Sequence, residues 1–125
     1  MSKYSFPKTH RILKRSQFIK LSLMGRVVQT RYFIASILDG EYLNNRIGIT
    51  VSKKVGNAVE RNRIKRIVRE FYRNKQETIA GNRDINIIAR KYISYLSNAQ
   101  IPDELDKLFK KISATENNKN GQIQQ

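Results

Sequence analysis

Eight cationic side chains crowd into residues 53–73: Lys53, Lys54, Arg61, Arg63, Lys65, Arg66, Arg69 and Arg73. Only Glu60 and Glu70 oppose them, which leaves +6 in 21 residues. Asn62, Lys65, Arg66, Arg69 and Arg73 stand at i, i+3, i+4, i+7 and i+11, the spacing of one side of an α-helix. Arg61 and Arg63 flank that line. A guanidinium is a planar fork that binds phosphate through two parallel hydrogen bonds and stacks on nucleobases. The chemistry on offer is recognition of a polyanion. A merely solvated helix face is the plain alternative. Such faces usually interleave both signs at i,i+4, and two glutamates cancel little of this one.

Other chemistries lack their residues. With no Cys there is no disulfide, no thiolate metal site and no cysteine nucleophile. The single His, His10, excludes a multi-histidine metal site and is expected to be exposed near a basic N-terminus. The carboxylates are scattered. Asp103, Glu104 and Asp106 fall in the first turn of a C-terminal helix, where negative charge complements the helix dipole. Asp39 and Glu41 read as turn residues. No catalytic side chain and no protein-held metal is assigned.

The whole chain repeats the charge signal. Its 125 residues carry 25 Lys and Arg against 10 Asp and Glu, a net of +15. That self-repulsion opposes compaction, and a polyanion partner would relieve it. Nucleic acid is the first candidate. The length suits one domain with its own core. No apolar run approaches the roughly 20 residues needed to cross a bilayer, and no signal peptide is read. The expectation is a cytoplasmic protein with no membrane partner.

The elements that must position the cationic line follow from periodicity. Residues 1–8 read as a flexible basic arm, 9–112 as one RNA-binding domain, and 113–125 as a disordered polar tail rich in Asn and Gln. Residues 13–24 suit a short helix with Ser16 as N-cap and Ile19 and Leu23 on one face, Phe18 lying off it beside Leu21 and Ser22. Over 31–38, Phe33, Ala35 and Ile37 alternate with Tyr32, Ile34 and Ser36, a strand with one apolar face. Over 46–52, Ile47, Ile49 and Val51 alternate with Gly48, Thr50 and Ser52. That small second face leaves room for another chain to approach.

Asn57 caps a helix over 57–74, with Glu60 three residues on as in a capping box. Its 18 residues span about 27 Å. Ile64, Ile67, Val68 and Phe71 form its buried stripe. Residues 84–90 read as a strand inside the sheet. Pro102 opens a last helix over 102–112 with Leu105, Leu108, Phe109 and Ile112 inward. The order is α-β-β-α-β-α: an α+β fold with helices packed on a small sheet. A basic helix can enter a DNA major groove, but this one follows a strand and shares a core with a sheet, and a sheet face with small and aromatic residues beside basic loops suits single-stranded RNA better.

Three segments carry a resemblance. The run from Arg46 to Arg69, RIGITVSKKVGNAVERNRIKRIVR, closely resembles the signature of the protein subunit of bacterial ribonuclease P, and its Arg61-Asn62-Arg63 matches that family's RNR motif. Residues 84–91, DINIIARK, look like the family's following strand, and 13–18 like its first helix. The resemblance covers about residues 10–112. It implies a ribosomal-protein-S5-domain-2-like fold with a left-handed crossover around the basic helix, whereas base rates favour right-handed connections. It also implies the function: partnership with ribonuclease P RNA and removal of the 5′ leader of precursor tRNA. The RNA and its Mg²⁺ ions would carry out the hydrolysis.

Carried over by residue, the resemblance implies that Lys53, Arg61, Asn62, Arg63, Lys65, Arg66 and Arg69 meet the catalytic RNA. It implies that Phe18, Tyr32, Ile34 and Ser36 border the leader cleft. Where relatives often hold further aromatics, this chain has Ser22 and Ser36. Each lost stack costs on the order of 1–3 kcal/mol, and Tyr32 is the expected compensation. A plain RNA-binding module, such as a ribosomal protein or RNA chaperone, is the alternative. A protein-only nuclease would need clustered carboxylates that the sequence does not show.

Overall fold

The computed structural model describes residues 10–40, 44–75 and 82–123, with burial described as far as Ala114. The expected arm at 1–8 and Glu41 lie outside the described residues. In chain order the elements are α1 (Arg15–Met24), β1 (Arg26–Gln29), β2 (Phe33–Asp39), β3 (Arg46–Thr50), α2 (Ala58–Lys75), β4 (Arg83–Ala89), a 3-10 turn (Lys91–Tyr95) and α3 (Gln100–Ile123). The α+β class is as expected.

One sheet carries the chain, in the order β1-β2-β4-β3. β1 and β4 both run antiparallel to β2, and β3 runs parallel to β4. The β3–α2–β4 unit is therefore a parallel crossover that carries the basic helix. The apolar run of β4 lies inside the sheet, as expected. Phe33, Ala35 and Ile37 of β2 and Ile85 and Ile87 of β4 are fully buried on one face. Against that face pack Ile64, Val68 and Tyr72 of α2 and Ile101, Leu105, Leu108 and Ile112 of α3. Phe71 of α2 stacks on Phe109 of α3 with ring centroids 5.6 Å apart. Each such buried side chain contributes roughly 1.5–3 kcal/mol.

Several expectations need correction. Helices cover both faces of the sheet: α2 and α3 pack on one, and α1 lies against β2 and β4 from the other. β1 was not expected as a strand, because its four residues, RVVQ, do not alternate; pairing with β2 creates it. α1 starts at Arg15 rather than after Ser16, since Gln17 Oε1 accepts the Lys14 backbone N–H at 3.4 Å. Its inward residue is Leu21, while Ile19 and Leu23 are exposed. The buried line of α2 is Ile64, Val68 and Tyr72, with Ile67 and Phe71 only half-buried.

α3 begins two residues before Pro102. Ser97 and Gln100 cap it reciprocally: the Gln100 N–H donates to Ser97 Oγ at 3.3 Å, and the Ser97 N–H donates to Gln100 Oε1 at 2.8 Å. Pro102 then sits in the first turn, where its missing N–H does no harm. At the other end the helix runs on to Ile123, through residues expected as a disordered tail. No proline interrupts it there, and extending a formed helix is far easier than nucleating one. Among the described residues no helix is long and apolar enough to cross a membrane.

Candidate nucleic-acid interface

α2 is built to hold its cations outward. Asn57 Oδ1 accepts the Glu60 N–H at 2.9 Å and Asn57 O accepts the Arg61 N–H at 2.9 Å, which starts the helix where the capping pattern places it. Burial of Ile64, Val68 and Tyr72 then fixes its rotation. Asn62, Arg66 and Arg69 emerge exposed on the opposite side. Arg61 and Lys65 are half-buried on one flank, and Arg63 lies on the other.

The flanks differ in chemistry. Arg63 donates to Glu60 Oε2 at 3.0 Å, to Asn98 Oδ1 at 2.5 Å and to Ser94 O at 3.5 Å, so it ties α2 to the chain between β4 and α3. Arg73 is paired with Glu70. Both glutamates of the segment are thus spent on Arg63 and Arg73. Among the described residues, Arg66 and Arg69 have no carboxylate partner. Two like charges at i,i+3 repel by a few tenths of a kcal/mol, a repulsion that a bound phosphate reverses. Lys53 and Lys54 are exposed in the turn before α2.

The other face of the sheet forms a half-covered cleft. Strand register puts Val27, Ser36, Asn86 and Gly48 in one row and Gln29, Ile34, Ile88 and Thr50 in the next. Phe18 of α1 lies over Gly48, where a Cβ would come within 2.9 Å of its Cζ. The room that small residues leave on β3 is therefore taken by this chain's own α1. Ser36 and Asn86 are buried, and Thr50 Oγ1 and Asn86 Oδ1 are 3.1 Å apart. Ile34, Ile88 and Thr50 are only half-buried, and they form the open part of the floor.

The expected site residues divide accordingly. Arg61, Asn62, Lys65, Arg66 and Arg69 share one side of α2, with Lys53 in the turn leading into it. Phe18 and Ile34 share the cleft face. Ser36 is on that face but only 5% exposed, with little surface to offer a ligand. Tyr32 is not on it. It precedes β2 and packs on the main core, lining a groove with Leu96, Gln100, Glu104 and Lys107 on the α3 side. The strand's alternation fails there because pairing begins at Phe33. Ser22 is exposed.

Periodicity does not single out Thr50, Asn86 and Ile88 on this face, though Asn86 is the lone polar residue inside the apolar Ile85–Ile88 segment, a signal that marks it. His10 is also corrected: it is half-buried, and its Nδ1 lies 3.4 Å from the Tyr72 hydroxyl. Burial beneath the ridge pushes the Tyr72 phenol up to about 12. The C-terminal carboxylates are engaged on their own helix, Glu104 with Lys107 at 2.9 Å and Asp106 with Lys110 at 3.0 Å.

A cationic ridge on a helix that backs one face of the sheet, with a half-covered cleft on the other face, defines a small α+β protein of the nucleic-acid-binding class. Comparison with known proteins sharpens this. The sequence model of the Ribonuclease P family matches residues 6–113, and the chain belongs to that family of ribonuclease P protein components, whose enzyme is an endoribonuclease of tRNA processing. The ribonuclease P protein component of Desulforapulum autotrophicum is 67% identical over 112 residues, covering 90% of this chain and 96% of that one. That of Desulfatibacillum aliphaticivorans is 42% identical over 113 residues, 90% of this chain and 96% of the relative. The ribonuclease P protein of Staphylococcus aureus superposes with a TM-score of 0.78 at 36% identity, covering 81% of this chain and 93% of that one. The Thermotoga maritima protein gives 0.76 at 30% identity, over 81% and 98%.

Proposed function

We propose that the α2 ridge of this ribonuclease P protein component, with Lys53, Arg61, Asn62, Lys65, Arg66 and Arg69, grips the catalytic RNA. The cleft beneath Phe18 and over Ile34 holds the 5′ leader of precursor tRNA. The supporting observation is the outward face of α2, where Arg66 and Arg69 stand exposed and uncompensated on a helix whose rotation the core fixes. Because the core fixes the helix that carries them, binding phosphate has only the side chains left to order, not the backbone. Arg63 joins this surface only at its edge, since three protein oxygens already hold it.

The protein's part is binding and positioning. Among the described residues no three His, Cys, Asp or Glu side chains converge. In this reading the ion belongs to the RNA, which carries out the hydrolysis. The complex is placed in the cytoplasm, and the absence of Cys fits a reducing compartment.

The test is reconstitution. Purified protein added to the catalytic RNA at low Mg²⁺ should stimulate removal of the 5′ leader from precursor tRNA. Binding to that RNA without stimulation would instead fit a plain RNA-binding module.

A further inference from the structure

Two tyrosines stand in the open just past β4. Tyr92 is 56% and Tyr95 78% exposed, although six Tyr and five Phe in the chain give the core ample aromatic choice. They occupy positions i and i+3 of the 3-10 turn, where three residues per turn bring side chains into line. Their ring centroids are 5.7 Å apart at 31°. Lys91 Nζ lies 5.6 Å from the Tyr92 ring centre. Between the tyrosines, Ile93 is fully buried and fastens the turn to the core. The Ile93 N–H donates to Arg90 O at 3.1 Å, the Leu96 N–H donates to Ile93 O at 3.0 Å, and Arg63 reaches Ser94 O. The rings are carried on a fixed support, and nothing in the fold requires them outside.

Their place in the chain is specific. Thr50 and Ile88 pair at the open end of the cleft. Beyond them the chain leads on one side into Lys53 and Lys54 and on the other into Lys91 and Tyr92. Tyr92 is four residues past Ile88, so the two are at most about 14 Å apart. α1 closes the opposite end of the same face.

We propose that Tyr92 and Tyr95 form a stacking platform for an unpaired nucleobase of the 5′ leader where it leaves the cleft, with Lys91 beside it for the phosphate. This rests on the leader-binding reading above. A flat, exposed aromatic beside a cation is what a single strand needs: every base has a π-face, and the backbone is anionic. A folded or duplex partner would find no such use for the rings. The platform also makes good the stacking that Ser22 and Ser36 do not supply and that Tyr32, on the other side of the sheet, cannot.

The test uses the reconstituted ribonucleoprotein. Wild type, Tyr92→Ala/Tyr95→Ala and Tyr92→Phe/Tyr95→Phe proteins are each bound to precursor tRNA with a long leader, to one whose leader is cut to two nucleotides, and to the catalytic RNA alone. The alanine pair should lose about 5- to 100-fold in affinity for the long-leader precursor, with the other two affinities unchanged. The phenylalanine pair should bind like wild type, because stacking needs the ring and not the hydroxyl. Unchanged long-leader affinity overturns the platform. An equal loss for the two-nucleotide leader or for the catalytic RNA overturns the assigned occupant. If wild type itself shows no difference between long and short leaders, it is the leader-binding reading that fails, and the platform with it.

Discussion

The Phe18 ring rests directly on Gly48. A Cβ at residue 48 would overlap Cε1 of the ring and stand 2.9 Å from its Cζ and 3.3 Å from Asn86 Oδ1. A helix residue and a strand residue thus set the roof and the floor of the cleft together. Phe18 is only half-buried, so its ring can swing aside. Gly48→Ala should therefore cost only about 1 kcal/mol of stability in urea unfolding. It should weaken leader binding about as much as Phe18→Ala does. If Gly48→Ala binds precursor tRNA like wild type, the ring does not wall the leader's path.

The ridge and its edge should separate by mutation. Arg66→Ala with Arg69→Ala removes two exposed, uncompensated cations and should leave the stability read from urea unfolding within about 0.5 kcal/mol of wild type. Assembly with the catalytic RNA should weaken, and its dependence on salt should become shallower. With about six phosphates neutralised, wild-type affinity should fall roughly 10³-fold between 50 and 200 mM salt. Arg63→Ala should behave in reverse. It breaks contacts to Glu60, Asn98 and Ser94 and should cost about 1 kcal/mol of stability, with a smaller effect on assembly. Filter binding over a salt series, paired with denaturation, distinguishes the two.

What was legible in the sequence was whatever depended on local pattern. Asn57 and Glu60 marked the start of α2, and the i, i+3, i+4 spacing of its cations marked the outer face. What escaped depended on partners distant in the chain. β1 exists because β2 pairs with it, and its RVVQ has no period of its own. Tyr32 left its predicted face because pairing starts one residue later. Tyr72 was passed over because a tyrosine on a basic helix reads as polar, yet it is 1% exposed. Ser97 and Gln100 did carry a readable cap, but Pro102 gave the more obvious helix signal and masked it. For the site, spacing revealed the ridge but not that Arg63 and Arg73 are held by the two glutamates. The cleft's floor needed strand register, which no single strand contains.

Arg46 and Asp84 lock the end of the cleft beneath α1. They are register partners on β3 and β4, with Arg46 Nε to Asp84 Oδ1 at 2.8 Å and Nη2 to Oδ2 at 2.6 Å. Their side chains are 11% and 16% exposed. A two-pronged pair so shielded is costly to break from one side, because the surviving charge stays largely desolvated. Asp84→Ala should cost about 2–3 kcal/mol and, through the α1 residues Gln17, Lys20 and Leu21 that line the same hollow, loosen the seat of Phe18. Hydrogen exchange of α1 amides reads that loosening. Unchanged protection in α1 would show that the ion pair serves the sheet alone.

Tyr72 makes alkaline stability a probe of the ridge's foundation. Burial raises its phenol from 10.0 to about 12. Between those values the folded chain keeps a proton that the unfolded chain has released, so folding binds a proton and stability must fall as pH rises. The contribution is complete below pH 10, declines through the interval by up to about 1.4 kcal/mol per pH unit, and is lost once the folded phenol ionises near 12. Lysines titrate in the same range, so wild type alone cannot isolate the effect. Tyr72→Phe has no phenol to ionise and gives up the contact with His10 Nδ1. The urea midpoint of wild type should drop more steeply than that of Tyr72→Phe between pH 9.5 and about 11.5. Parallel curves would mean that the hydroxyl reaches water when it ionises and that α2 can lift from the sheet at little cost.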